Sequence, residues 1–451
     1  MTFTSVNPHD PADVLGAWEP AGRDGADAAA RRAARAARAW RDTPAAARAK
    51  ALGDAAAALE ARADEIAGLV IREVGKPVSE ARGEVARGVA ILRYYAQAAL
   101  GPDGETLPAA DPDQLLLARR VPVGVAALVT PWNFPVAIPL WKAAPSLAYG
   151  NATLLKPASA AAATALALLD VIGPFLPDDV FQVVLGGAET ARALIEHPSV
   201  AAVSFTGSSA VGRDVIARAA ARGCRVQAEM GGQNPSVVLA DADLDRAATT
   251  IAYAAMGYAG QKCTATSRVI VADEVYRGFR DALAGAIEAL QVIDPADAKT
   301  LVGPVIDDGA RERILEWIKA SSGQVLTGGE LDGELIRPTV IANPARDDEV
   351  SCEEVFGPVC TVTAVDSIDE AIELANGTRY GLQAGIFTAS LDNALRAAQE
   401  LEFGGVTVNE APTFRSDQMP YGGVKDSGNT REGPAYAVRA LTEDRLVVIE
   451  L

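Results

Sequence analysis

The chain has 451 residues, a length that predicts two or three domains with sizeable cores. Its 59 acidic and 41 basic side chains give a net charge of −18, which argues against a nucleic-acid-binding protein and against a polybasic membrane anchor. Only two histidines are present, so a zinc site with three histidine ligands is excluded, and no metal is expected.

The N-terminal quarter carries no targeting signal and reads as helical. Residues 1–15 lack the basic and then apolar order of a signal peptide. Residues 24–75 show apolar positions at helical spacing, which predicts two or three amphipathic helices, and 80–96 predict another. The polar segment 101–112 is rich in glycine and proline, so we expect a hairpin tip or a boundary there.

Residues 121–141 carry no charge and are long enough to span a membrane. Pro122, Pro131, Pro135 and Pro139 interrupt this stretch, so one continuous helix is not expected. A buried strand followed by a turn and a helix fits better, and we expect no membrane contact.

From residue 125 onward, apolar β-type runs alternate with helical patterns. Strands are predicted at 125–130, 153–156, 182–185, 201–205 and 225–229, and a second series begins at 236–240 and runs to about residue 408. This alternation predicts two tandem parallel α/β layers. Ligands of such sheets bind at the carboxyl ends of the strands, where 130–133, 156–159 and 205–208 fall.

A last strand is predicted at 445–450, with no hairpin partner beside it in sequence. Because an unpaired apolar edge strand favours aggregation, we expect it to pair with another subunit.

The cysteines supply the strongest candidate nucleophile. All four are widely placed and do not suggest a disulfide framework, so a reducing, cytoplasmic location is expected. Cys263 follows a glycine-containing turn and a lysine, a context that favours a lowered pKa, whereas Cys352 precedes two glutamates. A buried, inert Cys263 is the alternative. The loop 207–212 is not a dinucleotide-binding fingerprint by itself.

Six motifs occur in one order along the chain. They are Pro131-Trp132-Asn133-Phe134-Pro135, Lys156-Pro157-Ala158-Ser159, Phe205-Thr206-Gly207-Ser208, Glu229-Met230-Gly231-Gly232, Gly260-Gln261-Lys262-Cys263 and Glu353-Glu354-Val355-Phe356-Gly357-Pro358-Val359. Together they resemble the aldehyde dehydrogenase superfamily over nearly the whole chain. The nearest likeness is to α-ketoglutarate-semialdehyde, succinate-semialdehyde, lactaldehyde and phosphonoacetaldehyde dehydrogenases.

The resemblance implies a Rossmann-like NAD(P)-binding domain at 1–102 and 121–232, and a catalytic domain at 233–430. It also implies a small β oligomerisation element at 103–120 and 436–451. A homodimer is expected, with a tetramer as the alternative.

The resemblance also implies the chemistry. Cys263 is similar to the family's nucleophile, and Asn133 to the side chain that forms the oxyanion hole with the Cys263 backbone N–H. Glu229 matches the base that activates water. Lys142 matches a lysine of a proton relay, and a surface lysine is the equal alternative.

Cofactor contacts are implied for a larger set of residues: Thr130, Pro131, Trp132, Lys156, Ala158, Ser159, Phe205, Gly207, Ser208, Val211, Gly231, Glu354 and Phe356. NAD-preferring members often carry glutamate where this chain has Ser159. Because a carboxylate there would repel a 2′-phosphate and serine would not, NADP should be accepted alongside NAD.

A small polar or anionic aldehyde is the expected substrate. The tunnel residues implied by analogy are Val136, Leu140, Trp141, Lys262, Thr264, Phe414 and Arg415. Arg415 could pair with an anionic substrate group, or instead with Glu410 or Asp417 nearby.

Three other functions remain open at this stage. A CoA-acylating aldehyde dehydrogenase would pass the acyl group to CoA rather than water. A cysteine hydrolase would use Cys263 with His197. A non-catalytic binding or structural protein could also be built on the same scaffold.

Overall fold

The computed structural model describes residues 2–416 and 418–451. Asp417, one of the two predicted partners of Arg415, lies outside the described residues. Among the helices that are described, none combines the length and the apolar character needed to cross a bilayer.

The chain begins with a strand pair, a helical layer and a second pair of strands. In order these are β1 (Phe3–Val6), β2 (Val14–Trp18), α1 (Gly22–Asp42), α2 (Ala45–Ala61), α3 (Ala63–Val74), α4 (Val78–Ala98), β3 (Gly104–Leu107) and β4 (Gln114–Pro122). The predicted helices therefore form. The segment expected to be a hairpin tip or boundary contains the strand β3.

A five-stranded sheet follows, with helices between its strands. Its elements are β5 (Val125–Thr130), α5 (Ala137–Ala148), β6 (Ala152–Pro157), α6 (Ala162–Ile172), β7 (Phe181–Val183), α7 (Ala188–Glu196), β8 (Ala202–Thr206), α8 (Ser209–Ala220) and β9 (Arg225–Glu229). The strand order is β7-β6-β5-β8-β9, and every pairing is parallel. Strands β5 and β6 are buried throughout, as expected for a sheet covered on both faces.

The second α/β unit is a seven-stranded sheet. Its elements are β10 (Asn234–Val238), α9 (Leu244–Met256), β11 (Thr266–Ala272), α10 (Asp273–Glu288), α11 (Asp308–Ala320), β12 (Gln324–Thr327), β13 (Leu331–Asp332), β14 (Leu335–Ile336), β15 (Thr339–Ala342), α12 (Glu349–Cys352), β16 (Val359–Val365), α13 (Ile368–Asn376), β17 (Gln383–Phe387), α14 (Leu391–Glu400) and β18 (Gly405–Val408). The order is β12-β15-β16-β11-β10-β17-β18. Within this sheet all pairs are parallel except the antiparallel pair of β12 with β15, which the sequence did not predict. Strands β13 and β14 form a separate antiparallel pair.

The C-terminal segment ends in a paired strand. Helix α15 (Pro434–Leu441) leads into β19 (Thr442–Glu450), which pairs antiparallel with β4 over nine residues of the same chain. The strand therefore has a partner within its own chain, and its pairing with another subunit stays a prediction. The partner lies far away in sequence, so sequence proximity could not reveal it. The three-stranded sheet has the order β19-β4-β3 and leaves one side of β19 as a sheet edge.

A buried carboxylate fixes the start of α5 and with it the preceding loop. Glu84 of α4 accepts hydrogen bonds from the N–H groups of Val136 (2.8 Å) and Ala137 (2.9 Å), and it forms a buried ion pair with Lys76. The negative charge sits at the positive end of the helix, where it is stabilising. The loop 131–135 is thereby anchored on the helical layer.

Candidate active site

The polar ends of four parallel strands share one edge of the five-stranded sheet. Val129 of β5 is in register with Lys156 of β6, and Thr206 of β8 with Glu229 of β9. Because the strands are parallel, their carboxyl ends face the same side. The segments 130–133, 156–159 and 205–208 therefore lie together, as the sequence predicts.

Cys263 follows a strained turn between α9 and β11. Tyr258, Ala259 and Gly260 have φ values of 57°, 52° and 66°, a run of left-handed residues that carries a cost in free energy unless packing enforces it. The Tyr258 hydroxyl donates to the carbonyl of Val74 at 3.0 Å. A Cβ at residue 260 would overlap the carbonyl of Gly357, so only glycine fits. This turn fixes the direction in which the thiol points.

The thiol lies among groups of both signs. Its Sγ is 2.9 Å from the Tyr421 hydroxyl oxygen. The pKa of Cys263 is raised to about 11, chiefly by burial. The carboxyl groups of Glu354 and Glu229 contribute to the rise, and Tyr421 and Arg415 oppose it. The thiol form therefore prevails at neutral pH in the protein without substrate.

The prediction of a lowered Cys263 pKa was wrong, because desolvation outweighs the neighbouring cation. The ammonium of Lys262 lies 2.6 Å from a carboxylate oxygen of Glu80 and is already paired. Burial also raises the pKa of the other three cysteines. Among the four, Cys263 alone lines the cavity described below.

Asn133 joins the five-stranded sheet to the turn that carries Cys263. Its buried side chain donates from Nδ2 to the carbonyl oxygen of Gln261 at 2.9 Å. The Gln261 side chain is held in turn by the carbonyl of Pro304 and the N–H of Ile306. The amide of Asn133 is thus tied within two residues of the thiol.

Glu229 ends β9 in a buried position. Its Oε2 accepts from the Gly423 N–H at 3.1 Å, while its Oε1 has no hydrogen-bond partner among the described residues. Burial, and then the nearby Glu432, raise the Glu229 pKa well above its usual range. A side chain at residue 422 would crowd Oε1, since its Cβ would lie 2.6 Å from that oxygen. The glycine at this position therefore leaves space beside Oε1.

Lys142 lies in the core beside this carboxylate. Its ammonium pairs with Glu432 and donates to the Ser204 hydroxyl at 2.9 Å, and both charged side chains are buried. The surface alternative for Lys142 is therefore wrong. Glu432 was not identified from the sequence, because no motif marks a residue that far from Glu229 along the chain.

One cavity of 360 Å³ opens at the thiol. Five predicted substrate residues line it: Trp141, Lys262, Thr264, Phe414 and Arg415. The cavity has further lining residues that were not predicted to contact the substrate, among them Glu80, Arg87, Tyr421 and Glu432.

Val136 and Leu140 correct the substrate prediction. Both side chains are buried, and their methyl groups pack closely against Gly88 of α4. A Cβ at residue 88 would come within 3.0 Å of them. On α5 they face the helical layer, whereas Ile138 and Trp141 face the cavity. Of the predicted tunnel residues near the start of α5, Trp141 therefore lies on the face toward the cavity, whereas Val136 and Leu140 lie on the face toward the helical layer.

Arg415 is a buried cation on the cavity wall. Its guanidinium carbon lies 4.1 Å from the ring centroid of Trp141 and 4.0 Å from that of Tyr421. All three guanidinium nitrogens are buried and, within the described part of the chain, have no hydrogen-bond partner. Burial lowers the Arg415 pKa to about 10, so the group stays cationic at neutral pH. The Glu410 side chain instead accepts from the Ala411 N–H.

Lys156, which is predicted to contact the cofactor, lies at the end of β6 on the same edge of the sheet. The side chain is buried, and burial lowers its pKa to about 8. Within residues 2–416 and 418–451, its ammonium makes neither a hydrogen bond nor an ion pair. An unpaired buried ammonium fits the hydroxyl groups of a ribose. Ser159 begins a short 3₁₀ turn three residues later.

The start of α8 fits a phosphate. Ser208 is the N-cap of this twelve-residue helix, and its side chain makes no capping hydrogen bond. Helix N-terminal N–H groups favour anions. Val211 is exposed in the first turn. Gly207 packs over the Phe205 ring, which is buried, so the predicted contact at Phe205 can involve only its backbone.

The residues predicted to contact the nicotinamide lie on two segments. The Trp132 and Phe356 rings pack edge to face at 5.6 Å, and Phe356 has a φ of 51°. Glu354 accepts from the Gly232 N–H at 3.0 Å, and burial raises its pKa to about 7. A Cβ at Gly231 would overlap the Glu354 carboxylate.

The remaining predicted cofactor residues belong to the β5 and β6 ends. The Ala158 N–H donates to the Thr130 carbonyl at 2.9 Å, and the buried Thr130 hydroxyl has no partner among the described residues. Pro131 follows directly. Together with Lys156 and the α8 start, these groups have the donor chemistry that a dinucleotide requires.

His197 does not support a cysteine hydrolase. It precedes β8, at the edge of the sheet opposite the site, and its ring nitrogens contact Asp27 and the Ser199 N–H. The five residues of β8 span about 16 Å at about 3.3 Å per residue, so the amino and carboxyl ends of the strands are about that far apart. A Cys263–His197 pair is therefore excluded.

Known proteins share this arrangement over the whole chain. Residues 1–447 match the aldehyde dehydrogenase family. An alpha-ketoglutaric semialdehyde dehydrogenase of Bacillus subtilis (strain 168) is 38% identical over 437 residues, which cover 94% of this chain and 89% of that protein. A 3-sulfolactaldehyde dehydrogenase of Priestia aryabhattai is 39% identical over 413 residues, which cover 90% and 86%. The crystal structure of an NADP dependent enzyme of E. coli superimposes with a TM-score of 0.96 at 34% identity, covering 100% of this chain and 95% of that one.

A match of this extent, to sequences and to a solved structure alike, identifies the fold and the reaction class together. The chain belongs to the aldehyde dehydrogenase family, and it is an NAD(P)-dependent dehydrogenase of aldehydes.

Proposed function

We propose that this enzyme oxidises a small anionic aldehyde to a carboxylic acid through a covalent intermediate on Cys263. One arrangement carries the proposal. The thiol lines a cavity, the Asn133 amide is tied beside it, and Glu229 keeps a buried carboxylate oxygen without a hydrogen bond.

In the first half of the reaction, the Cys263 thiolate adds to the carbonyl carbon and the carbonyl oxygen takes the negative charge. The Asn133 amide and the Cys263 backbone N–H donate to that oxygen, and one such donor is worth about 2.7–4 kcal/mol. A bound nicotinamide would supply the hydride acceptor that this adduct needs in order to become a thioester.

In the second half, Glu229 takes a proton from water and the water oxygen attacks the thioester carbon. The carbon–sulfur bond then breaks and the thiolate leaves. The raised pKa of Glu229 makes its carboxylate a stronger base. The adjacent pair of Lys142 and Glu432 provides a route by which the proton can pass onward.

An anionic substrate is favoured by Arg415. A buried guanidinium without a partner is costly, and an anionic group of the substrate would satisfy it. The relative named for 3-sulfolactaldehyde acts on a sulfonate, which fits a cationic end of the cavity.

For the cofactor, we propose that NADP is accepted alongside NAD. Ser159 carries no charge to repel a 2′-phosphate. The buried Lys156 ammonium offers a donor to the ribose. The division into a cofactor domain, a catalytic domain and an oligomerisation element, the homo-oligomeric assembly and the cytoplasmic location are part of the same proposal.

Transfer of the acyl group to CoA is the second candidate, and Glu229→Gln separates the two. We expect this variant to give one burst of reduced nicotinamide per site, followed by turnover lower by about 10²–10⁴-fold, because no base remains to activate water. The measurement is near-ultraviolet absorbance after rapid mixing with an anionic semialdehyde or propanal and each nucleotide.

Glu274→Gln, an exposed change on α10, is the matched control and should turn over normally. Full turnover of Glu229→Gln would contradict the role of Glu229 as base. A wild type that turns over only with added CoA would establish acyl transfer instead. Inactivity with every aldehyde would favour a non-catalytic role.

A further inference from the structure

Tyr421 places a hydroxyl on the sulfur of Cys263. The two atoms are 2.9 Å apart. The Tyr421 backbone is fixed by an antiparallel bridge to Glu432, in which its N–H donates to the Glu432 carbonyl at 2.9 Å. Its ring stacks on Trp141 with an interplanar angle of 11°, and Arg415 covers the ring. The hydroxyl is therefore held by backbone and ring together.

We propose that Tyr421 is a catalytic residue whose hydroxyl donates a hydrogen bond to the Cys263 thiolate and makes the nucleophile available. The inference rests on the proposed role of Cys263. Once the thiol has lost its proton, the sulfur can only accept, so the phenol must be the donor. A hydrogen bond to an ionised acceptor is about twice as strong as a neutral one.

The charged groups around the Cys263 sulfur disfavour the thiolate, so a hydrogen-bond donor is needed to stabilise it. Two carboxyl groups, on Glu229 and Glu354, oppose a further negative charge there. The Lys262 ammonium is engaged by Glu80. The two groups that favour the thiolate are Tyr421, which touches the sulfur, and Arg415, which acts through space.

The phenol stays protonated while it does this. Burial raises the pKa of Tyr421 well above its usual range, and the acidic groups of Cys263 and Glu229 raise it further, whereas Arg415 lowers it. At neutral pH the hydroxyl therefore keeps the proton that it donates.

The test is Tyr421→Phe, which removes one oxygen and keeps a ring that can pack against both Trp141 and Arg415. The rate of Cys263 alkylation by iodoacetamide is followed from about pH 6.5 to 9.5 by mass spectrometry of the peptide. If the thiol pKa rises by about one unit, the thiolate fraction falls about tenfold while its intrinsic reactivity rises about threefold, so alkylation slows about threefold at any given pH. The burst of reduced nicotinamide should slow as well, with the KM of the aldehyde changed by less than about twofold.

Tyr276→Phe, which removes a buried hydroxyl on α10, is the matched control and should leave the profile unchanged. The midpoint of thermal unfolding verifies that both variants fold. Superimposable alkylation profiles for wild type and Tyr421→Phe, with Cys263 still essential, would overturn the role of Tyr421 alone. A burst that survives Cys263→Ser would overturn the proposed mechanism itself.

Discussion

At the scale of single residues, the candidate nucleophile Cys263 and the buried cation Arg415 line the same cavity. The sequence motifs identified Cys263, Asn133 and Glu229 as the candidate set. In the structure, a hydrogen bond ties Asn133 to the turn that carries Cys263, and the Glu229 carboxyl lies near the thiol. The motifs could not show that burial raises the thiol pKa, since desolvation depends on the whole surrounding shell. They also could not show that Arg415 packs against two aromatic rings and has no partner for its nitrogens among the described residues.

Arg415→Ala should weaken the binding of anionic aldehydes specifically. A hydrogen bond to a charged group is worth about 1.5–3 kcal/mol, so kcat/KM for an anionic semialdehyde should fall about 10–150-fold, while propanal changes by less than about threefold. Steady-state kinetics on a panel of anionic and neutral aldehydes measures both. Arg35→Ala, an exposed change on α1, serves as the control. An unchanged ranking of the aldehydes would remove the anion-binding role.

At the scale of elements, most helices and strands follow from periodicity, because the apolar repeat of each segment matches its burial. Strand β5 and helix α8 begin where their patterns predict. The antiparallel pairing of β12 with β15 could not be predicted, since strand direction depends on how the long connection returns. The division of α5 into a cavity face and a packing face required the position of α4.

The turn between β6 and α6 should set the choice of nucleotide. We expect wild type to use NADP with a kcat/KM within about tenfold of that for NAD, and Ser159→Glu to lower the NADP value at least about tenfold relative to NAD through charge repulsion. Ser159→Gln has a similar length without the charge and should change the ratio much less. A strongly NAD-selective wild type would contradict the argument.

At the scale of the whole molecule, the three-stranded sheet leaves apolar side chains in solvent. Leu446 is 62% exposed and Val448 is 51% exposed, and both project from the same face of β19 because side chains alternate along a strand. Exposed apolar surface beside an open sheet edge is typical of an interface between subunits. The sequence predicted the interface but not that β19 first pairs within its own chain.

Wild type should sediment as a dimer or a tetramer at about micromolar concentration, and the double change Leu446→Lys and Val448→Lys should shift it toward monomer by placing charges in the buried interface. Sedimentation velocity measures the distribution. Val325→Lys, an exposed change on β12, controls for added charge and should leave the assembly intact. A wild type that is only monomeric would rule out the assembly.

The pairing of β4 with β19 also determines when the three-stranded sheet can form during synthesis of the chain. The two strands are joined by about 320 residues of chain, which a ribosome adds in about 16–64 s at about 5–20 residues per second. During that interval the edge of β4 that will pair with β19 stays open, whereas β3 can already pair with the other edge. The sheet can close only after β19 has been synthesised, so the surface proposed to join two subunits cannot form before that point, and association of nascent chains through it is delayed.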